Sequence, residues 1–461
     1  MKLIKAFGGM KMRSKVELAS SSNELFAGLF GIEIEENRVD LSRNSLSRFP
    51  HQKELGDRQG KKTHFQTDFA ESMEKLITDK HATMKGVLEQ MRSLQSILHG
   101  TLKPNEIIWP MSMPPKLNED DVDFVRNTFK RFWMADYRKW LVKRYGIFRQ
   151  IMCGIHFNYS PSDQIIAIFQ SNHHIKRKKR AQTELLFQIA QQLVGERWLI
   201  TYLFGATPLS ENSDDQLFGV EQQVVPVRSL RSSKYGYENA KEIHVSYGSL
   251  SEYVNDLQHE VNSHKLFSES EFYGPVRLKA KDGINSVQAK GFDYLELRTL
   301  DLDPFDFLEI DLKTLDLIHL LIVDAIINPQ EWNDEQLDEA KAQNNQVALQ
   351  HPTDHLPTNL KQQASVIMKR INRLVQYAPD SLKVELEEAL AAATKKLIDP
   401  NLTPAAQLIK FKKQNSLMDF GIQRGKQLKQ QYANQSVAEA FPGINPDAVN
   451  QYIEKQEGIN G

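Results

Sequence analysis

Gly31-Ile32-Glu33-Ile34-Glu35-Glu36-Asn37-Arg38-Val39-Asp40 opens with aliphatic and carboxylate side chains in alternation. Successive side chains of a strand point to opposite faces, so we expect Ile32 and Ile34 to share a buried face and Glu33 and Glu35 to share the other. Neighbouring like charges repel, so a cation must lie between them. The stretch predicts a strand whose polar face holds a divalent metal ion or an arginine.

A second stretch, residues 292–300 (FDYLELRTL), repeats this alternation. It places Tyr294, Glu296 and Arg298 on one face of a strand and aliphatic side chains on the other. A carboxylate beside an arginine indicates a metal ligand next to a phosphate-binding group. For either stretch alone, the alternative is an amphipathic strand with a solvated polar face. The presence of both stretches in one chain favours a binding site over a solvated polar face.

Composition limits the classes of function. The chain has 461 residues, and its 58 Lys and Arg nearly cancel its 59 Asp and Glu, so no overall field attracts nucleic acid or an anionic membrane. The single cysteine, Cys153, excludes a disulfide framework within the chain. The amino terminus lacks the apolar core of a signal peptide, and the apolar run 315–327 is too short to span a bilayer. We expect a soluble, cytoplasmic protein with small-molecule partners, no nucleic acid and no membrane association.

Two further regions carry polar side chains of interest. Asp68 is expected to end a strand, with Glu71 near the start of a helix that continues to about residue 99, although simple capping is an equal alternative. Residues 150–160 are expected to form a strand in which Gln150, His156 and Asn158 share a face, with Gly154 leaving space for a ligand. A lone His in a strand is more often a hydrogen-bonded, partly buried residue than a ligand.

The rest of the chain predicts scaffold. Helical patterns cover residues 120–145, 183–203, 249–262 and 380–398. The basic run 172–180 (NHHIKRKKR) indicates a solvated loop and helix start, and no glycine-rich phosphate-binding loop is present. Composition shifts to polar helix formers beyond Pro329. We expect a catalytic domain over 1–335 and a helical C-terminal region over 336–461 that packs on the same domain.

Eleven short motifs, taken in order, resemble those of bacterial glutamate-cysteine ligases. They occur at residues 31–35 (GIEIE), 67–71 (TDFAE), 109–114 (WPMSMP), 137–138 (YR), 144–146 (RYG), 154–158 (GIHFN), 202–208 (YLFGATP), 229–231 (SLR), 273–277 (YGPVR), 294–305 (YLELRTLDLDPF) and 399–403 (DPNLT). The resemblance implies an α+β fold with a glutamine-synthetase-like antiparallel sheet, which forms a funnel-shaped active site surrounded by helices.

The resemblance also implies roles for particular residues. Arg298 and Glu296 would be catalytic, with Arg298 facing the transferring phosphoryl group. The implied ligands of Mg²⁺ are Glu33, Glu35, Asp68, His156 and Glu296, with Glu74 as a further candidate. The implied substrate-binding residues are Tyr137, Arg138, Gln150, Asn158, Arg231, Tyr237 and Tyr273.

The implied reaction joins the γ-carboxylate of glutamate to the amine of cysteine through γ-glutamyl phosphate, with ATP as co-substrate. We expect a monomer without the ATP-grasp domain to which some family members are fused. A ligase for another amine, or a catalytically weak homologue with a binding role, is the alternative.

One position departs from the family pattern. Family members usually place a Glu, as a further metal ligand, four residues after the Glu of the DFAE motif, and this chain has Lys75 there. Glu74 precedes it, and on a helix an offset of one residue turns a side chain by about 100°. We therefore expect weaker Mg²⁺ binding, unless Lys75 reaches past the site to solvent or pairs with ATP.

Overall fold

A computed structural model of the chain describes residues 22–52, 55, 64–127, 135–212 and 225–442. Its strands are β1 (Gly28–Asp40), β2 (Ser45–Leu46), β3 (Phe65–Thr67), β4 (Met73–Ile77), β5 (Glu106–Trp109), β6 (Ile155–Pro161), β7 (Val276–Lys279) and β8 (Tyr294–Leu300). They form one antiparallel sheet in the order β3-β4-β1-β6-β8-β7, with β2 and β5 paired to the far end of β1. The predicted α+β class with an antiparallel sheet is confirmed.

Strand β1 is the centre of the sheet because it is long enough to take a different partner at each end. Its first half pairs with β6, its middle with β4, and its last residues with β5 and β2. Ile32 and Ile34 are fully buried, so the expected apolar face of this strand is confirmed. Leu295 and Leu297 of β8 are likewise fully buried.

Helices surround the sheet. They are α1 (Ser22–Leu25), α2 (Met84–Thr101), α3 (Glu119–Asn127), α4 (Ala135–Tyr145), α5 (Ile147–Gln150), α6 (Asp163–His173), α7 (Lys178–Phe204), α8 (Leu250–Asn262), α9 (Val287–Lys290), α10 (Leu312–Ile327), α11 (Asp334–Ala348), α12 (Thr358–Val375), α13 (Asp380–Ile398), α14 (Pro404–Leu408), α15 (Met418–Ala433) and α16 (Val437–Ala440). Helix α2 packs on β1 and β4, and α7 packs on β6, β7 and β8. The other face of the sheet is left for polar side chains.

Two sequence-based expectations near the site are wrong. Residues 73–77 form strand β4 instead of the start of a helix, and the helix begins only at Met84, where the Thr83 side chain accepts a hydrogen bond from the Gly86 amide. Strand β6 begins at Ile155, because Gln150 ends the short helix α5. The local sequence pattern could not distinguish a strand from a helix at residues 73–77, because pairing with β1 decides the conformation there.

The C-terminal helices pack on the sheet. Gly421 of α15 lies so close to Trp109 of β5 that a Cβ atom there would collide with the indole ring. The predicted division after residue 335 falls just inside α11, which packs along α7. The division stays a prediction, and residues 443–461 of the predicted C-terminal region lie outside the described residues.

The apolar run 315–327 lies within α10, which is buried at almost every position and packs against α7 and α13. Within the described ranges, no helix has the length and apolar character needed to cross a membrane.

Candidate active site

Glu33 and Glu35 point together from the polar face of β1, as predicted, and the cation between them is Lys75. The antiparallel register sets Lys75 of β4 directly opposite Glu35. Its Nζ lies 3.0 Å from Glu33 Oε2 and 3.0 Å from Glu35 Oε1. The sequence predicted a metal ion or an arginine at this point, and the structure places a lysine from the partner strand there.

Asp68 completes this first group of side chains. It follows the end of β3, and its Oδ1 lies 3.5 Å from Lys75 Nζ. Burial alone would lower the pKa of Lys75, but Glu33, Glu35 and Asp68 together raise it well above that of an ordinary lysine. Burial opposes ionisation of Glu33, yet Lys75 and His156 hold its pKa well below the usual value. Lys75 and Glu33 are therefore both charged near neutral pH.

Glu74 does not join this group, so its assignment as a metal ligand is corrected. On a strand an offset of one residue turns a side chain to the opposite face. Glu74 accordingly lies opposite Glu36, where its Oε1 is 2.8 Å from Arg38 Nε and its Oε2 is 2.6 Å from His51 Nδ1. The side-chain rotation of about 100° per residue that was expected here holds for a helix, whereas residues 73–77 form a strand.

A second group surrounds Glu296 of β8. Lys279 Nζ lies 3.1 Å from Glu296 Oε2, and Arg298 Nε lies 3.4 Å from Oε1. Arg277 is directly opposite Glu296 across the β7–β8 ladder, with 3.9 Å between Nη1 and Oε1. Burial opposes ionisation of Glu296, but Lys279, Arg277 and Arg298 lower its pKa below the usual range.

His156 of β6 lies between the two groups. Its Nδ1 is 3.5 Å from Glu33 Oε2 and 3.9 Å from Glu296 Oε1, and Nε2 is 3.9 Å from Glu35 Oε1. The Nδ1 atom is buried and makes no hydrogen bond. Asn158, two residues on, donates a 3.3 Å hydrogen bond to Glu33 from Nδ2, while its Oδ1 is buried without a partner.

The two groups differ in how well they fit a divalent cation. Among the described residues no three His, Cys, Asp or Glu side chains converge into a preformed metal site. In the first group Lys75 already occupies the space between the carboxylates. In the second, the unpartnered His156 Nδ1 faces Glu33 and Glu296, and Mg²⁺ commonly needs only one or two carboxylates when phosphate oxygens supply the rest.

Arg231 fills the space that Gly154 was expected to leave for a ligand. A Cβ atom on residue 154 would collide with the Arg231 guanidinium. Arg231 Nη1 donates a 3.1 Å hydrogen bond to the Leu300 carbonyl, and it lies 3.5 Å from Asp301 Oδ1. The glycine therefore serves an arginine that reaches the site from a distant loop.

Tyrosines line the pocket beside Arg231 and Arg298. The Tyr237 hydroxyl donates to the Met152 carbonyl at 2.8 Å, and the Tyr273 hydroxyl donates to Gln150 Oε1 at 3.2 Å. The two rings meet edge to face with centroids 5.4 Å apart. Burial raises the pKa of both tyrosines, so they stay neutral hydrogen-bonding groups.

Tyr137 and Arg138 approach from helix α4. Arg138 donates a hydrogen bond to the Asp68 carbonyl oxygen and lies over the Phe69 ring. The Tyr137 ring packs 5.2 Å from the Phe267 ring, and burial raises its pKa, with Arg277 and Arg298 among the charges that act on it. Arg138 thus contacts the backbone at Asp68, and Tyr137 lies within the electrostatic range of Arg277 and Arg298.

The pocket holds buried hydrogen-bonding atoms that lack partners. They are Arg298 Nη1, Arg231 Nε, Arg197 Nε and Thr299 Oγ1, together with Gln150 Nε2 behind the Tyr273 hydroxyl. Buried polar atoms are normally hydrogen-bonded, so this many in one place indicates a ligand that would satisfy them. Most of them are cationic or amide donors, which favours carboxylate or phosphate oxygens.

Sequence reasoning missed Arg197, Arg277 and Lys279. The alternation of Arg277 and Lys279 on a short strand that begins within the YGPVR motif was a usable signal, because it matches the alternation of Glu296 and Arg298 on β8. Arg197 sits in the middle of the long helix α7, and nothing local distinguishes it from a solvated arginine.

The polar face of the antiparallel sheet carries carboxylates, a histidine and arginines, and a tyrosine-lined pocket rich in hydrogen-bond donors adjoins it. This arrangement is typical of proteins that bind anionic substrates on the polar face of a sheet. The sequence pattern that defines the family described as glutamate-cysteine ligase matches residues 14–348, and the chain belongs to this family.

Individual relatives agree with this assignment. The bifunctional glutathione biosynthesis protein GshAB of Streptococcus agalactiae is 33% identical over 405 residues, which cover 88% of this chain and 52% of that protein. The crystal structure of a bifunctional glutathione synthetase from Pasteurella multocida has a TM-score of 0.83 at 29% identity, covering 93% of this chain and 56% of that one. The chain thus spans about half the length of these relatives.

A second solved structure matches along nearly its whole length. The glutamate-cysteine ligase of Francisella tularensis, crystallised in complex with AMP, has a TM-score of 0.76 at 25% identity, and the match covers 90% of this chain and 91% of that one.

Proposed function

We propose that the chain catalyses the ATP-dependent joining of L-glutamate, through its γ-carboxylate, to the amine of L-cysteine, giving γ-glutamylcysteine for glutathione biosynthesis. The observation that supports this most directly is the position of Arg298. It pairs with Glu296 on the carboxylate face and presents an unpartnered Nη1 where the tyrosine pocket begins. Arg298 thus adjoins both the carboxylate groups and the pocket.

In the first step, a γ-carboxylate oxygen of glutamate attacks the γ-phosphorus of ATP, and the bond to ADP breaks. Phosphoryl transfer depends chiefly on positioning and charge neutralisation. Arg298, with Arg277 and Lys279 beside it, supplies positive charge to the transferring group. Glu296 holds these three cations in place through its ionised carboxylate.

In the second step, the nitrogen of the acceptor amine attacks the acyl carbon of γ-glutamyl phosphate, phosphate leaves, and the nitrogen loses a proton. Tyr137, Tyr237 and Tyr273 would wall the acceptor site, because a tyrosine offers an apolar ring and a hydroxyl at once. Arg231 and Arg197 would bind a carboxylate of an amino-acid substrate through their unpartnered Nε atoms.

Mg²⁺ is part of the proposal and would be held by Glu296, His156 and Glu33 together with ATP. When bound, it would neutralise charge on the phosphate oxygens. The unpartnered Nδ1 of His156 between two carboxylates supports this placement. We further propose a cytoplasmic monomer, with residues 1–335 as its catalytic domain and 336–461 as a helical region.

The test is ADP release by the purified protein with Mg²⁺, ATP and glutamate against a panel of amines. We expect turnover with cysteine, with γ-glutamylcysteine identified by mass spectrometry. Preference for another amine would show that this amine, and not cysteine, is the acceptor substrate. Absence of turnover with every amine would favour the catalytically weak homologue. Glu296→Gln serves as the inactive control, since it removes the charge that gathers three cations.

A further inference from the structure

We propose that Lys75 is a built-in cation that takes the place of one divalent metal ion over β1. Glu33, Glu35 and Asp68 then share no metal ion at the position of the Lys75 ammonium, and the divalent ions in the site bind with ATP beside Glu296 and His156, where Glu33 can still contribute an oxygen. The inference rests on the proposed function and adds to it a reduced requirement for metal ions.

The geometry supports this directly. The Lys75 ammonium lies 3.0 Å from one oxygen of Glu33, 3.0 Å from one of Glu35 and 3.5 Å from one of Asp68. These three carboxylates come from the end of β3 and from the centre of β1, and Lys75 is the group at which they meet. A divalent ion shared by the same oxygens would need the space that the ammonium fills.

The strand pairing keeps Lys75 there. Its neighbours across the sheet are Glu35 on one side and Gln66 on the other, so its side chain must leave the polar face of the ladder close to Glu35. The side chain is 15% exposed. Swinging the ammonium into solvent would break three ion pairs and leave two largely buried carboxylates side by side without a cation.

Charge leads to the same conclusion. The carboxylates of the two groups are Glu33, Glu35, Asp68 and Glu296, and the cationic side chains that pair with them are Lys75, Lys279, Arg277 and Arg298. Among the residues that the structure describes, these four charges of each sign balance before any metal ion binds. A metal ion in the first group would add two positive charges next to an ammonium, whereas ATP brings its own negative charge to the second group.

The experiment counts bound ions instead of relying on activity. Mn²⁺ binding is measured by electron paramagnetic resonance and by calorimetry, on the full chain, with and without β,γ-methylene-ATP. The variants are Lys75→Glu, Lys75→Gln and the charge-conserving Lys75→Arg. Lys178→Glu is the matched control, because Lys178 pairs with a single exposed carboxylate, that of Asp163.

We expect Lys75→Glu to bind one Mn²⁺ more per chain than the wild type under both conditions, and Lys75→Arg and Lys178→Glu to match the wild type. Lys75→Gln keeps the three carboxylates and removes only their cation, so Mn²⁺ should raise its melting temperature more than that of the wild type. This second readout holds even if Lys75→Glu folds poorly.

Equal ion counts for the wild type and Lys75→Glu, together with equal Mn²⁺-induced stabilisation of the wild type and Lys75→Gln, would overturn the proposal. That failure is distinct from failure of the proposed function. A wild type that makes γ-glutamylcysteine but shows no difference in ion count keeps its function and loses this inference. A wild type without turnover, whose Lys75→Glu variant gains an ion, loses the function and keeps the inference.

Discussion

Arg38 and Glu74 form a buried ion pair on the face of the sheet opposite Glu33 and Glu35, with 2.8 Å between Arg38 Nε and Glu74 Oε1. Both side chains are almost completely inaccessible. Arg38 also pairs with Glu106 at 2.7 Å and donates to the carbonyls of Phe49 and Glu71. This cluster ties β1 to β4 and β5, so its role is in stability.

Glu74→Gln should therefore destabilise the protein without changing its use of metal ions. Removing one partner of a buried ion pair typically costs about 3–5 kcal/mol, and the remaining Glu106 should keep the loss near the lower limit. Urea unfolding measures the free energy, and a titration of activity against free Mg²⁺ measures metal use.

The matched control for that experiment is Glu184→Gln, which breaks an exposed pair with Arg180 and should cost less than about 1 kcal/mol. A Glu74→Gln variant of normal stability with weakened Mg²⁺ dependence would contradict the placement of Glu74 on the opposite face.

Arg298→Lys should lower kcat by more than about tenfold, which corresponds to about 1.4 kcal/mol of transition-state stabilisation. A lysine keeps the charge near Glu296 but cannot reproduce the planar fork that a guanidinium presents to phosphate oxygens. Steady-state kinetics with saturating ATP measures the effect, with Arg180→Lys on the surface of α7 as the matched control. A smaller loss would mean that Arg298 is not the group that binds the transferring phosphoryl.

The faces of the central strands could be predicted from sequence because their alternation is local. Glu33 and Glu35, and likewise Glu296 and Arg298, lie where period two places them, and helix α13 has the predicted bounds Asp380–Ile398. These features depend on residues a few positions apart, which a single sequence shows directly.

The identity of the cation between Glu33 and Glu35 could not be predicted, because it depends on pairing between distant segments. Lys75 faces Glu35 only since residues 73–77 pair with β1, while their local pattern fitted a helix equally well. Arg231 reaches Gly154 from 77 positions along the chain, so no local spacing links the two residues. In the first case tertiary pairing overrode a local preference, and in the second there was no local signal to read.

Gly154→Ala should raise KM for the amino-acid substrates by about tenfold or more while leaving the fold intact. The new methyl group would collide with the Arg231 guanidinium and displace it from the Leu300 carbonyl and from Asp301. A lost charge-assisted hydrogen bond is worth about 1.5–3 kcal/mol, which corresponds to at least a tenfold change in affinity.

Gly100→Ala is the matched control, because nothing lies within 4 Å of the added methyl group near the end of α2. Replacing a helical glycine by alanine should be neutral or slightly stabilising. Unchanged KM values in Gly154→Ala would mean that Arg231 does not touch the amino-acid substrates.

Glu309→Gln should flatten the loss of stability as pH rises above the unfolded-state pKa of a glutamate, about 4.3. Glu309 and Glu36 are almost completely buried and act on each other electrostatically, and Gln95 Nε2 donates to Glu36 Oε1 at 2.7 Å. Burial and then Glu36 raise the pKa of Glu309 well above its usual value, and burial also raises the pKa of Glu36.

A folded-state pKa above the unfolded value, about 4.3, gives stability that is complete below that pH and is lost as pH rises through the folded-state pKa. Glutamine mimics the protonated carboxyl. The free energy of unfolding of Glu309→Gln, measured in urea between about pH 5 and about pH 8, where folded proteins are generally most stable, should therefore fall less steeply than that of the wild type. The exposed Glu388→Gln should follow the wild-type curve, and parallel curves for Glu309→Gln and the wild type would show that this pair does not titrate in the folded protein.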